Sequence, residues 1–201
     1  MSTDAAGAPP RFLVDGAGMC SGAQWLPSPH CDERPGEARV ELLVIHNISL
    51  PPGEFGGPWI SDLFLDRLQS AAHPYFAEIA GVRVSSHFLV RRDGEVIQYV
   101  PCGLRAWHAG ASSWKGCERC NDFSVGIELE GTDELPFTDA QYESLADLTR
   151  ALFARYGELE LAGHSDIAPG RKTDPGPWFD WARYRASLGA PGDRSVRRPA
   201  S

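Results

Sequence analysis

Between residues 40 and 188 short apolar runs alternate with stretches of helical spacing. Val40-Glu-Leu-Leu-Val-Ile45 is compact, apolar and rich in β-branched residues, which predicts a buried strand. A long Pro/Gly loop follows from Leu50 to Pro58, and Trp59 to Leu68 and Ala71 to Ala80 read as two short helices. Val84 to Arg91 and Glu95 to Val100 flank Asp93-Gly94, a hairpin signal. Ser124 to Leu129 is a second buried-strand candidate. The clearest helix runs from Thr138 to Tyr156. Thr138-Asp-Ala-Gln141 forms a capping box, an apolar stripe runs through Tyr142, Leu145, Leu148, Leu152, Phe153 and Tyr156, and Gly157 stops it. A last helix is expected over Phe179 to Leu188, with Asp180 near its positive end. The fold class this predicts is α/β: one domain over residues 23–188, with a central mixed β-sheet flanked by helices. Residues 1–22, rich in Gly, Ala and Pro and without periodicity, read as a mobile N-terminal tail. Residues 189–201, with Arg194, Arg197 and Arg198, read as a C-terminal tail.

Composition narrows the function. Of 201 residues 42% are hydrophobic and 23% charged, a globular balance that excludes a wholly disordered chain. The 21 glycines and 16 prolines predict long structured loops. A net charge of -8 repels phosphate backbones, so nucleic acid is not the expected partner. No apolar stretch approaches the roughly 20 residues of a membrane span, and no obligate protein partner is implied. The N-terminus shows neither a basic region nor an apolar core of a secretory signal, so the expected location is cytoplasmic. Five cysteines, an odd number, suit free thiols. Cys117 and Cys120 have the spacing of half a zinc site with no second half.

Catalytic groups gather where strands give way to loops. His46 follows the first apolar run, His164 follows another after the long helix, and Asp174 lies ten residues on, in a loop stiffened by Pro175 and Pro177. Two imidazoles and one carboxylate form a candidate zinc set that leaves the fourth position of a hydrolytic site to water. Spacing alone leaves open the ordinary reading of each as a hydrogen-bonded core or loop residue.

Four segments carry a resemblance. They are Val44-Ile-His-Asn-Ile-Ser-Leu-Pro-Pro-Gly-Glu-Phe-Gly-Gly57, Arg105-Ala-Trp-His-Ala-Gly110, Glu118-Arg-Cys-Asn-Asp-Phe-Ser-Val-Gly-Ile-Glu-Leu-Glu-Gly131 and Gly163-His-Ser-Asp-Ile-Ala-Pro-Gly-Arg-Lys-Thr-Asp-Pro-Gly-Pro177. In this order, from about Trp25 to Leu188, the chain resembles the cytoplasmic 1,6-anhydro-N-acetylmuramyl-L-alanine amidases, the AmpD type of the zinc amidases related to peptidoglycan recognition proteins. The resemblance implies the amidase type 2 fold and Zn²⁺ held by His46, His164 and Asp174. It implies catalytic roles for Glu128 and Lys172, and an anhydro-muropeptide site lined by Asn47, Arg83, Trp107, Arg119 and Ala168. The implied reaction is hydrolysis of the amide between anhydro-N-acetylmuramic acid and L-alanine in peptidoglycan recycling.

Several residues keep a second reading. Glu130 shares a strand face with Glu128, so one of the two is a supporting group. Lys172 beside Arg171 also fits a solvated loop charge, and Trp107 also fits a core residue. His108 is either a substrate contact or a group behind a ligand. His87 is expected to be structural, and His30 and His73, each beside a proline, to be surface or loop residues. Asp166, two residues after His164, is a rival ligand. A non-cleaving binding module of the same fold is disfavoured by the presence of all three candidate ligands, and an exported wall amidase by the lack of a signal sequence.

Overall fold

A computed structural model of the chain describes residues 9–36 and 38–189. Its centre is a six-stranded mixed sheet of β1 (Gln24–Trp25), β2 (Leu42–Ile48), β3 (Phe88–Val90), β4 (Val96–Gln98), β5 (Ser124–Glu130) and β6 (Glu160–Gly163), in the order β6-β2-β5-β3-β4-β1. Pairings β6–β2, β2–β5, β5–β3 and β4–β1 are parallel, and the β3–β4 hairpin is antiparallel. The hairpin turns at Gly94, whose φ of 84° is the left-handed conformation that Asp-Gly supplies.

Alternation along the strands sorts the core. Leu43 and Ile45 of β2 and Val125, Ile127 and Leu129 of β5 point to one face, where Leu145, Leu148 and Leu152 of α3 (Asp139–Tyr156) cover them. On the other face α1 (Trp59–Phe64) and α2 (Pro74–Glu78) bury Leu89 and Ile97 with Ile60, Phe64 and Phe76. Beside them Leu42 and Val44 pack with Ala109, Cys120, Ala162 and Ile167, so the segment through residues 109–120 covers the rest of that face.

The capping box forms as expected: Thr138 Oγ1 accepts from the Gln141 N–H, Gln141 Oε1 accepts from the Thr138 N–H, and Gly157 ends α3. Asp180 caps α5 (Trp181–Ser187), taking a bond from the Arg183 N–H. The expected helix over 71–80 is instead a single 3₁₀ turn, Ser70–Ala72, and then α2. His73 interrupts it in an extended conformation, and its ring caps α2 by accepting from the Tyr75 N–H. Strand β2 runs three residues past the expected end, carrying His46 inside the sheet.

The expected N-terminal tail needs correction. Phe12 is buried in the α3-side core, Leu13–Val14 pairs with Cys20–Ser21, and Arg11 donates to Ser144 Oγ and to the Gly94 carbonyl. The segment is held by scattered single anchors, which leave no period for a sequence pattern to show. The rest of the expected N-terminal tail, residues 1–8, and Arg194, Arg197 and Arg198 of the C-terminal one lie outside the described residues. No helix among the described residues is long and apolar enough to cross a membrane.

Candidate active site

The site grows out of sheet register. His46 lies directly opposite Glu128 across the parallel β2–β5 pair, on the face away from α3. On the other side of β2, Gly163 pairs with Ile45, so the next residue, His164, emerges beside His46 as the first residue of α4 (His164–Ile167). Three parallel strands therefore deliver two imidazoles and a carboxylate at their carboxyl ends, where open α/β sheets collect ligands. Asp174 comes back from the following loop, its carbonyl accepting from the Ser165 N–H. A Cβ on Gly163 would stand 2.7 Å from Pro175 Cδ, so glycine there lets the Asp174-bearing loop close against the strand.

His46 Nδ1, His164 Nδ1 and Asp174 Oδ2 form a nearly equilateral triangle with edges of 3.0, 3.1 and 3.0 Å. The Nε2 atom of His164 lies 3.1 Å from the Ala109 carbonyl oxygen, which can only accept. Nε2 therefore carries a proton, and the tautomer with its lone pair on Nδ1 faces His46 and Asp174. The donor set, two imidazole nitrogens and one carboxylate oxygen, is that of a zinc site. Ligands about 2.0–2.1 Å from a tetrahedral zinc lie roughly 3.3 Å apart, close to the edges found. Burial disfavours the charged form of His46 and holds its pKa below the ordinary value, against the pull of Asp174. Burial alone would raise Asp174; its bonds to the two histidines outweigh that and lower it.

Glu128 is buried, and its Oε2 has no hydrogen-bond partner among the described residues. Desolvation pushes its pKa well above the usual carboxylate value. The negative charge of Asp174 adds to this and the positive charge of Lys172 opposes it. Glu130, on the same strand face, is the opposite case: Oε1 accepts from the Gly56 N–H and Arg91, and Oε2 from the Arg92 N–H. It ties the Pro/Gly loop and the hairpin to β5. Asp166 is likewise spoken for, accepting from the Gly163 N–H at the start of α4.

The remaining expected residues fall around this centre unevenly. Lys172 is exposed on the loop that leads to Asp174, its backbone N–H donating to the Ala168 carbonyl. Ala168 and Arg119 line a cleft of about 540 Å³ with Ser112, Pro169 and Arg171. Arg119 has a φ of 61° and pairs with Asp122 at 2.9 Å. Trp107, half-buried, donates from its indole to Asp32 and stacks on His30. Asn47 uses its amide hydrogens on Asp133 Oδ1 (2.6 Å) and the Pro175 carbonyl (3.0 Å), so it clamps the loop that carries Asp174. Arg83 is exposed in the loop between α2 and β3. A larger cavity, about 1020 Å³, opens at the opposite end of the strands around Glu41, Leu42 and Glu160, away from the site.

Among the histidines and basic residues near the site, the expectations for His30 and Arg171 need revision and that for His87 does not. His30 lies in a loop, one of the two places expected for it, but it is buried, 3% exposed, with its Nδ1 2.9 Å from the Val84 carbonyl. His87 is structural as expected. Its Nδ1 accepts from the Gly126 N–H and its Nε2 lies 3.1 Å from the Leu104 carbonyl, while burial and then the Arg34 charge depress its pKa to about 3. Arg171 carried no expected role. Its guanidinium donates to the carbonyls of Ala109 and Ala111, the first of which also faces His164. The one sequence signal for it was its place between His164 and Asp174, inside the last of the four resembling segments.

Fold and site together describe an α/β protein whose sheet carries a candidate metal site of two histidines and an aspartate. The chain belongs to the N-acetylmuramoyl-L-alanine amidase family (Amidase_2), whose profile matches residues 36–177, and it is an N-acetylmuramoyl-L-alanine amidase. Within that family it is of the AmpD type. It is 63% identical over 170 residues to the 1,6-anhydro-N-acetylmuramyl-L-alanine amidase AmpD of Escherichia coli K12, covering 84% of this chain and 93% of the relative. A crystal structure of a selenomethionine AmpD derivative superposes with a TM-score of 0.85 at 61% identity, covering 88% of this chain and 99% of the other. The amidase AmiD of E. coli, solved with anhydro-N-acetylmuramic acid-L-Ala-D-γ-Glu-L-Lys, matches at 29% identity and a TM-score of 0.56, over 88% of this chain and 65% of AmiD.

Proposed function

We infer that the chain is a zinc-dependent hydrolase of the amide between the lactyl group of anhydro-N-acetylmuramic acid and L-alanine in muropeptides, working in cytoplasmic peptidoglycan recycling. The observation that carries this is the triangle of His46, His164 and Asp174 beside the buried carboxyl of Glu128 on the adjoining strand, whose Oε2 has no hydrogen-bond partner among the described residues. The AmpD relatives support the substrate, as does the AmiD complex.

A zinc ion held by these three side chains would lower the pKa of a bound water and polarise the scissile carbonyl. Glu128 accepts the proton of the attacking water and returns it to the alanine nitrogen as the C–N bond breaks. Its raised pKa suits both halves of that exchange, since an acid of ordinary strength would return the proton poorly near neutrality. Lys172 brings positive charge to the oxygen that becomes anionic. Trp107 presents a flat apolar surface to sugar or peptide, Arg83 and Arg119 meet stem-peptide carboxylates, and Ala168 lines the cleft beside Arg119. Asn47 acts through the Pro175 carbonyl it holds, with its side-chain oxygen left for substrate.

The test is incubation of the purified chain with anhydro-muropeptide and, separately, with intact sacculi, products being identified by mass spectrometry and metal by elemental analysis. Free peptide and anhydro-N-acetylmuramic acid from the soluble substrate, with about one zinc per active chain, are expected. An active form devoid of zinc removes the metal assignment, and release from sacculi alone removes the recycling assignment.

A further inference from the structure

The Nε2 atom of His46 lies 2.9 Å from His108 Nδ1, and His108 Nε2 lies 3.1 Å from Ser124 Oγ. The His108 ring lies against β5 where a Cβ on Gly126 would be 2.6 Å from its Cγ, so the strand is recessed to seat it. Its backbone is fixed as well: the N–H groups of His108 and Ala109 both donate to Asn121 Oδ1, at 3.1 and 2.8 Å. His108 is 9% exposed and stands behind His46, which does not suit a substrate contact.

A neutral imidazole offers one lone pair and one N–H. For His46 to turn a lone pair at Nδ1 towards His164 and Asp174, its proton must sit on Nε2, and an acceptor must meet it there. The ring of His164 has its acceptor built in, a backbone carbonyl. The ring of His46 does not, because its partner is another imidazole that can take either polarity. We propose that His108 is a positioning residue that accepts the His46 Nε2–H at Nδ1 and passes the polarity on by donating its own Nε2–H to Ser124 Oγ. This fixes the tautomer and plane of the first ligand. The proposal rests on the zinc reading of the site. Outer hydrogen bonds of this kind are typically worth about 10- to 100-fold in metal affinity.

The experiment combines zinc affinity, by competition with a chromophoric chelator, and ¹⁵N-edited NMR of the histidine rings in wild type, His108→Leu, His108→Asn and Ser124→Ala. In the zinc-loaded wild type the His46 Nε2–H is expected as a slowly exchanging, low-field proton. His108→Leu fills similar space without an acceptor; it should lose that signal and weaken zinc by about 10- to 100-fold, with the His164 Nε2–H unchanged. His108→Asn sets an amide oxygen near the position of Nδ1 and should regain most of the affinity. Ser124→Ala, which barely alters volume, should weaken zinc by a smaller factor and guards against a misfolded His108 variant. At saturating zinc KM should stay constant in all three. Equal zinc affinity and an unchanged His46 signal in His108→Leu or Ser124→Ala would overturn the proposal. Failure of the wild type to take up zinc would instead overturn the metal reading beneath it.

Discussion

Glu128 and Glu130 show how far a single residue can be read. Both point to the same face of β5, and their period of two made them equal candidates. What separates them is what meets them in space. Arg91, the Arg92 N–H and the Gly56 N–H converge on Glu130 from distant parts of the chain, and nothing among the described residues meets Glu128 Oε2. Those partners were not legible locally; only the family resemblance selected Glu128. The difference has a thermodynamic sign. A carboxyl whose pKa is raised by folding contributes stability below its unfolded value, here near 4.5, and loses it as pH rises through the folded value. Ionised Glu128 therefore opposes folding at neutral and alkaline pH when no metal is bound. Glu128→Gln is expected to raise the melting temperature of chelator-stripped protein at pH 8, with the gain vanishing towards pH 4. Turnover should fall by about 10²- to 10⁴-fold. Calorimetry at the two pH values checks the first claim, and identical melting curves at pH 8 would mean that the carboxyl is solvated.

Elements were legible in proportion to how local their causes are. Helix α3 announced itself completely, because its cap, stripe and stop all lie within its own twenty residues. The Asp-Gly hairpin did too. The helix expected over 71–80 failed because its apolar residues gave no sign that His73 would leave helical geometry and cap the turn after it. The site depends on a relation between elements: the register that sets His46 beside His164, and the contact of Gly163 with Pro175 that brings in Asp174. Gly163→Ala tests that relation. Its Cβ would meet a ring atom at 2.7 Å, so the ligand loop must move. Misplaced ligands bind metal poorly, and zinc affinity and turnover should fall together, while far-UV circular dichroism stays unchanged. Gly157→Ala is the control. It strains a φ of 89° at the end of α3 with no atom of the described residues within 4 Å of the new Cβ, and should cost about 1–2 kcal/mol of stability with zinc affinity intact. Equal zinc affinity in Gly163→Ala and wild type would show that the loop reaches its place without the glycine.

At the scale of the molecule, the mixed sheet with helices on both faces was legible and its strand order was not. Apolar runs say that a strand is buried, but the order β6-β2-β5-β3-β4-β1 is decided by pairings between distant segments, such as Glu160 with Leu42. The N-terminal segment is the sharper case, because composition argued for mobility and the structure gives it a share of the core. Phe12 is 2% exposed within the cluster on the α3 face, and Arg11 bridges Ser144 and Gly94 beside it. The candidate site lies on the other face of the sheet, so this segment can affect stability without touching the chemistry. Phe12→Ala is expected to cost about 3–5 kcal/mol, the range for emptying a buried aromatic site. For a domain of this size that lowers the melting temperature by roughly 6–20 °C. Below the variant's melting transition, checked by circular dichroism, zinc content and kcat/KM should match wild type. A melting temperature within a degree or two of wild type would return residues 9–22 to the status of a tail. A large loss of kcat/KM at full zinc occupancy would show that the two faces of the sheet are coupled.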